Sequence, residues 1–417
     1  MGVFEETANL NAEQIIEKVT ALNLREQGVY REKVAEKWRT VLAEREEDSL
    51  PLKVVAALNN NDTRHAYLQL VKDAPELLVG GLAAAGKAIG TKELDVYLPE
   101  GEDPLKEQLE HTAQEAGVEV NVSLELVNVR AYEGSPIHHI ATLIDLAKAL
   151  EGTYTPGTYV AAGKYGKYSA MKKAADGTKV QELVADALEI IGIKDPQTEI
   201  KALEIGTKVF GPEGLEQQIT EDTALSGGTI TVITDKECII AEGEKRLLDL
   251  RKTSCGKCTF CREGLIQLHT MAKEITEGKG KAEFLPVMEE ISDAMVFSTP
   301  CSVGQTGGEY VQGTLAAFKE EYEAHIKKKK CPADVCKSFM SIYIDPNACE
   351  GCEECADACP ADCIEGKSGY IHMIDEFDCT KCGKCIEVCE YDAVIQTTGR
   401  LPKLPNRLIK CGKFKKR

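Results

Sequence analysis

Two cysteine runs constrain this chain more than any other feature: Cys349-x2-Cys352-x2-Cys355-x3-Cys359-Pro360 and, thirty residues on, Cys379-x2-Cys382-x2-Cys385-x3-Cys389. Three thiolates at this spacing wrap one corner of an iron–sulfur cubane, and the fourth cysteine of each run projects away to ligate the other cluster. The spacing therefore gives Cys349, Cys352, Cys355 and Cys389 to one [4Fe–4S] cluster, and Cys379, Cys382, Cys385 and Cys359 to a second. Zinc is the competing reading, but zinc sites use paired C-x2-4-C knuckles in preference to triplets.

A third triplet, Cys255, Cys258 and Cys261, stands upstream and needs a fourth ligand. The next cysteine is Cys301, at the end of a helical stretch that a two-helix return could bring back to the triplet. All 17 cysteines lie at or beyond Cys238, so the chemistry is concentrated in the back half. Dense short-spaced thiols in an intracellular chain read as metal ligands before disulfides. The formal net charge of -18 offers no broad cationic surface for DNA or RNA. No run approaches the length of apolar chain needed to span a bilayer, and the first residues are acidic, so a cytoplasmic location is expected.

Periodicity divides the rest. Residues 29–48 read as a helix, with Val34, Trp38 and Leu42 four apart. An apolar run from Leu52 to Leu58 is followed by a long Ala/Leu-rich helical stretch to about Ala88. Strand Leu94 to Leu98, helix Pro104 to Ala116, an alternating stretch Val118 to Val129 and a helix from about His138 to Leu150 complete an α/β layer pattern. Beyond the turn cluster Thr153 to Gly157 the pattern becomes short strands and one helix. Residues 243–325 are helical up to Lys327-Lys328-Lys329-Lys330, read as a solvated linker.

The segment Ser254-Cys255-Gly256-Lys257-Cys258-Thr259-Phe260-Cys261-Arg262-Glu263-Gly264 resembles the S-C-G-K-C-x-x-C-R-E-G motif of the NADH-oxidising flavoprotein subunit of respiratory complex I and of multimeric, electron-bifurcating hydrogenases. The resemblance implies a [4Fe–4S] cluster on Cys255, Cys258, Cys261 and the distant Cys301. It also implies a multidomain α/β fold: a Rossmann-like flavin/NADH-type domain (1–153), a ubiquitin-like β-grasp module of the soluble-ligand-binding kind (154–242), a helical bundle with a cluster (243–328) and a bacterial-type two-cluster ferredoxin domain (329–417). Glu390 replaces the proline that many ferredoxins carry after the fourth cysteine, without removing a ligand.

In that family the flavin lies on a loop resembling L-R-G-R-G-G-A-G-F-P-T-G-x-K-W. Here the matching stretch runs from Leu24-Arg25 to Lys37-Trp38 and keeps only Gly28 of the glycines. Glu26, Val29, Tyr30, Arg31 and Glu32 would fill the space where bare backbone amides approach a phosphate. The family's N-A-D-E-S-E-P-G stretch appears as Asn59 to Arg64, without its glutamates. FMN and NADH binding are therefore expected to be lost, although Asn59 to Asp62 could line a pocket.

Five cysteines remain: Cys238, Cys331, Cys336, Cys363 and Cys411. Cys363 and His372 flank the turn Gly366 to Gly369, and with Cys331 and Cys336 they make a candidate structural Cys3His zinc site, Cys411 being a substitute ligand. The alternative is a set of idle thiols, of which Cys238, in an apolar run at a strand end, is the plainest. His138, His139 and His65 read as packing or surface residues.

Taken together, the sequence points to an iron–sulfur electron-transfer subunit of a larger oxidoreductase, with three [4Fe–4S] clusters and a flavoprotein, another iron–sulfur subunit or a soluble ferredoxin as partner. The ferredoxin-type module suggests anaerobic metabolism. The alternative is an FMN-containing NADH:ferredoxin-type oxidoreductase subunit.

Overall fold

The computed structural model describes residues 2–45, 51–132, 134–398 and 401–414. The chain divides into two compact units, one of residues 1–235, 245–269 and 286–317, the other of residues 236–244, 270–285 and 318–417. The fold class is mixed α/β with a parallel sheet.

The first unit begins on a four-stranded, all-parallel sheet of β1 (Val54–Ala57), β2 (Leu94–Leu98), β3 (Asn121–Leu124) and β4 (Ile137–His139), in the order β3-β2-β1-β4. Central β1 is wholly buried, which is why it reads as an uninterrupted apolar run. Helices Pro75–Ile89 and Ile140–Glu151 pack so closely that a Cβ on Gly81 would lie 1.9 Å from the Leu143 carbonyl oxygen.

Three expectations are corrected here. The helix predicted from residue 29 begins at Val34, because residues 25–33 form a tight loop closed by a bridge between Arg25 and Lys33, with Gly28 at φ 83°. Its predicted end at 48 lies outside the described residues, since the helix is described to Ala43. The helical stretch expected between Leu58 and about Ala88 is two helices, Leu68–Asp73 and Pro75–Ile89, because the ring of Pro75 starts a new helix at its first position. Strand β4 takes the place of the first residues predicted as helix; three residues are too few to show a period.

The same unit carries a six-stranded mixed sheet, in which Thr158–Lys164 and Thr229–Thr234 pair in parallel and the other neighbours are antiparallel. Its core is Val160, Leu203, Ile230 and Val232 against Val180 and Val184 of the helix Val180–Ile190.

In the second unit, Ser341–Ile344 pairs antiparallel with Val394–Thr397, and Ile364–Glu365 with Met373–Ile374. Ile342, Ile344, Ile364, Ile371 and Val394 form its small core together with cysteines. No described helix is long and apolar enough to cross a membrane.

Candidate iron–sulfur and metal centres

Each ferredoxin-type triplet is a loop ending in one helical turn, Glu354–Asp357 or Lys384–Glu387. The loops repeat one backbone. Gly351 and Lys381 share a left-handed conformation (φ 74° and 54°), as do Glu353 and Gly383 (72° and 82°) and Asp362 and Asp392 (49° each). Non-glycine residues enter this region at a cost, so its recurrence marks geometry imposed by what the loop encloses. Turned this way, backbone N–H groups reach sulfur, as Lys381 N does to Cys379 Sγ at 3.4 Å.

The thiols gather by crossing between the runs. Burial pushes the Cys355 thiol up to about 12, and Cys349, Cys352 and then Cys389 add to it. Burial also raises Cys385, among Cys379, Cys382 and Cys359. Cys359 lines one cavity with Cys379, Cys382 and Cys385, and Cys389 is among the thiols that act on Cys355.

The upstream triplet opens the helix Thr259–Thr276, and Cys301 immediately precedes the helix Ser302–Lys327. Ser254 Oγ lies 3.5 Å from Cys261 Sγ, and Arg262 Nη1 donates to the Gly256 carbonyl at 2.9 Å, fastening the loop. Burial pushes the Cys261 thiol up; Ser254 opposes this, and nearby Cys301, Cys258 and Cys255 add to it. At Cys301 burial is countered by the N–H groups of Val303 and Gly304, where a helix N-terminus favours a thiolate.

A fourth group brings Cys238, His325, Cys331 and Cys336 together, all buried, with their ligand atoms within 4.8 Å of one another. His325 Nε2 lies 3.4 Å from Cys238 Sγ and 3.6 Å from Cys336 Sγ. Its Nδ1 donates to the Glu321 carbonyl at 2.8 Å, which fixes the tautomer and leaves Nε2 to bind. Glu321 also accepts from Ile239 N at 2.9 Å, tying the start of the Ile239–Thr253 helix to this group. Hydrogen bonds from Cys238 and Cys336 draw Cys331 below the usual thiol range, while the same contacts and burial push Cys238 up. Three thiols and one imidazole in a closed, buried set fit a tetrahedral structural zinc.

This quartet corrects the zinc ligands expected from sequence. Cys331 and Cys336 belong to it, but Cys363 and His372 do not. Cys363 Sγ lies 3.5 Å from Cys359 Sγ, Cys411 lies beside Cys349, and His372 is buried with neither ring nitrogen hydrogen-bonded. Cys238, read as an idle thiol, is a member, and His325 was missed. The spacing His325-x5-Cys331-x4-Cys336 was the available signal. The lysine run lies between these ligands, with Lys329 at φ 50° and its ammonium on the Gly278 and Gly280 carbonyls, so it is a fastened turn and not only a solvated linker.

In the first unit the loop after Leu24 closes on itself. The Glu26 carboxylate accepts from Lys37 Nζ (3.0 Å), His139 N (3.2 Å) and Thr142 Oγ1 (2.8 Å), and bonds His138 Nδ1. His138 Nε2 accepts from Trp38 Nε1 at 2.8 Å, so Nδ1 carries the proton toward Glu26. Burial raises the Glu26 carboxyl, but Lys37 and His138 outweigh it and hold it below the ordinary range. Arg31 donates to Glu26 O, Gln27 Oε1 and Thr158 Oγ1. The Glu26 carboxylate, already accepting the His139 N–H at the start of the Ile140–Glu151 helix, would repel a phosphate brought to this loop, so these residues do not fit a nucleotide phosphate here. A cavity of about 370 Å³ remains alongside, bounded by Tyr30, Glu32, Asn59, Asn60, Tyr132 and Cys301. Asn59 Oδ1 also accepts from Val29 N at 2.8 Å, and Asp62 accepts from Arg64 N and His65 N, so this stretch is both turn and cavity wall.

Comparison with known proteins gives these centres a context. Residues 247–325 match the NADH-ubiquinone oxidoreductase-F iron-sulfur binding region, and residues 341–390 the 4Fe-4S dicluster domain. The chain is 37% identical over 172 residues to the HndC subunit of the NADP-reducing hydrogenase of Solidesulfovibrio fructosivorans, covering 41% of this chain and 35% of that protein. It is 39% identical over 85 residues to the F-type subunit of the NADH-quinone oxidoreductase of Streptomyces coelicolor, 20% of this chain and 19% of the relative. An F-type subunit of the NADH-quinone oxidoreductase of Rhizobium meliloti is 28% identical over 186 residues, 42% and 43%. The chain thus spans between 19% and 43% of the length of these curated relatives. A solved NAD+-reducing [NiFe]-hydrogenase chain shares the fold, with a TM-score of 0.65 and 18% identity over 78% of this chain and 64% of that one. Cys255, Cys258, Cys261 and Cys301 thus lie in the segment that matches the NADH-ubiquinone oxidoreductase-F iron-sulfur binding region, and both ferredoxin-type runs lie in the segment that matches the 4Fe-4S dicluster domain.

Proposed function

We propose that this chain is an iron–sulfur electron-transfer subunit of a larger oxidoreductase and performs no bond-making of its own. Three [4Fe–4S] clusters would be held by Cys255, Cys258, Cys261 and Cys301, by Cys349, Cys352, Cys355 and Cys389, and by Cys379, Cys382, Cys385 and Cys359. The observation that carries this reading is the gathering of Cys359 with Cys379, Cys382 and Cys385 around one cavity, with Cys389 among the thiols that act on Cys355. Such clusters supply one-electron chemistry when bound. The chain's own residues exclude water around Cys355, Cys385 and Cys261 and aim N–H groups at sulfur, the two levers a protein has on cluster potential. Zinc on Cys238, His325, Cys331 and Cys336 would be structural.

The four-segment domain division, with its Rossmann-like and β-grasp-like parts, belongs to the same proposal, supported by the parallel order of β1–β4 and the mixed sheet that follows. With Glu26 in the anion position, the first segment acts as a docking scaffold for a flavoprotein or iron–sulfur partner. Deleting residues 1–153 should abolish assembly with that partner; normal assembly by the truncated chain would sink the scaffold role.

The ligand assignment is tested by Cys301→Ala. The variant should lose about four of roughly twelve irons and one cluster's electron paramagnetic resonance signal, the ferredoxin-type signals remaining. Full iron retention would reject Cys301 as a ligand. The cavity beside Cys301 favours a second reading, an FMN-containing NADH:ferredoxin-type subunit, which acid-released flavin at one per chain would establish.

A further inference from the structure

A smaller cavity of the first unit lies beside the turn that follows β1. Its volume is about 40 Å³, and its wall includes Asn61, Asp62, Arg64, Glu204, Ser226 and Thr306. Asn61 and Asp62 belong to that turn, Glu204 to the strand Ile200–Ile205, Ser226 to the turn before Thr229–Thr234, and Thr306 to the helix Ser302–Lys327. Asn61 Nδ2 ties three of these together, donating to Ser226 Oγ and Thr306 Oγ1 at 2.7 Å each. The chain at Gly227, with φ 60°, is pressed so closely on Asp62 that a Cβ there would lie 2.8 Å from Asp62 Oδ1.

Two oxygens of this wall are buried and unserved. Asn61 and Asp62 are 3% and 4% exposed. Asp62 Oδ1 accepts the N–H groups of Arg64 and His65, but among the described residues Asp62 Oδ2 and Asn61 Oδ1 have no hydrogen-bond partner. The guanidiniums in the wall bond other acids, Arg64 with Asp249 and Arg246 with Glu204, both at 2.6 Å. Asp62 is therefore the carboxylate left over, and a buried charge without a partner is costly. Burial pushes its carboxyl up, opposed by His65 and Arg64. Arg64 Nε is buried without a partner too, so water alone is the competing occupant.

Among the described residues, only the Cys238 quartet gathers three or more Cys, His or carboxylate ligands, so this cavity lacks the charge that a divalent or transition metal calls for. We propose that it holds one alkali cation, K+ or Na+, on Asp62 Oδ2 and Asn61 Oδ1, with the hydroxyl oxygens of Ser226 and Thr306 and water completing the shell. The volume admits the ion with roughly one water. Bound there, the cation joins the turn after β1, the mixed sheet and the helix that begins beside Cys301. No cluster ligand takes part, so the site goes beyond the electron-transfer reading and stands or falls apart from it.

The anaerobically assembled full-length chain is unfolded thermally in potassium, sodium or choline chloride at equal ionic strength. Fluorescence of Trp38, the one tryptophan of the chain and buried in the first unit, reports the transition. Exchanging choline for the preferred alkali ion should raise the midpoint by about 2–4 °C, and the rise should saturate with ion concentration. Asp62→Asn keeps an acceptor for the Arg64 and His65 N–H groups and should remove that rise. Where this variant does not fold, Ser226→Ala takes its place and should raise the half-saturating concentration. Equal midpoints in all three salts, the result for water alone or for a protonated Asp62, overturn the proposal without any variant. So does an ion-specific rise that Asp62→Asn retains, or a half-saturation that Ser226→Ala leaves unmoved.

Discussion

Around Glu26 in the first α/β layer the buried polar groups satisfy one another, whereas around Cys355 in the back half buried thiols are gathered against other thiols. Around Glu26, two cationic or imidazole partners, one hydroxyl and one backbone N–H use up the carboxylate's capacity. Around Cys355 the near neighbours are other thiols, each raising the cost of the next charge. A buried network that closes on itself needs no ligand. A set of buried thiols whose charges repel is complete only with a cation or a cluster among them. The first arrangement suits a scaffold and the second a site.

The largest break in this contrast should come from the Cys238 quartet. Removing one ligand by Cys331→Ala should destabilise the second unit by about 5 kcal/mol or more and abolish zinc retention, since structural zinc binding is folding free energy. Chelator-dependent thermal unfolding and zinc analysis check this; a variant as stable as the parent would mean that the quartet holds no metal.

Next is the Glu26 network. Glu26→Ala leaves His138 Nδ1 buried without its acceptor and strips Lys37 of its buried carboxylate, and should cost roughly 3–5 kcal/mol in denaturant unfolding of the first unit, with iron content unchanged. Iron loss in this variant would erase the distinction between the regions.

Acid should act on the same side. Burial lowers His139 to about 4 from an ordinary 6.5, helped by Arg31 and opposed by Glu26. Its folded pKa lies below the unfolded one, so the stability is fully present above pH 6.5 and is lost as pH falls toward 4. The loss is about 3 kcal/mol. Glu26, also held low, loses its contribution only below the ordinary carboxylate range near 4.5. Unfolding midpoints between pH 7 and 4 should fall, and His139→Gln should flatten that part of the profile. The smallest effect is expected at the exposed pairs of Arg25 with Glu221 and Asp222, where Glu221→Gln should change stability by less than about 1 kcal/mol.

Sequence revealed the back half unevenly, for physical reasons. A triplet at x2 spacing is local, so its chemistry can be read from neighbouring positions, and duplication carries the crossing of Cys359 and Cys389. Cys238 and His325 stand 87 residues apart and meet only through the helices that begin at Ile239 and end at Lys327. Nothing local marks Cys238 as a ligand, and the only local mark of His325 is its spacing to Cys331 and Cys336. Cys363 and His372 looked opposed across a turn, and the Ile364–Glu365 and Met373–Ile374 strands do pair, yet the thiol faces Cys359 instead. In the front, the missing glycines around Gly28 were legible. So was the intrusion of Glu26 into that loop, but the network that holds its carboxylate was not, because its partners Lys37, His138 and Thr142 come from three separate elements.

The contrast between scaffold and site is tested most directly by counting iron, zinc and acid-released flavin in one anaerobic preparation of the isolated chain. About twelve irons, about one zinc and no flavin are expected from the ligand sets. One FMN per chain would contradict the closed front, and about eight irons or fewer would contradict the three-cluster back.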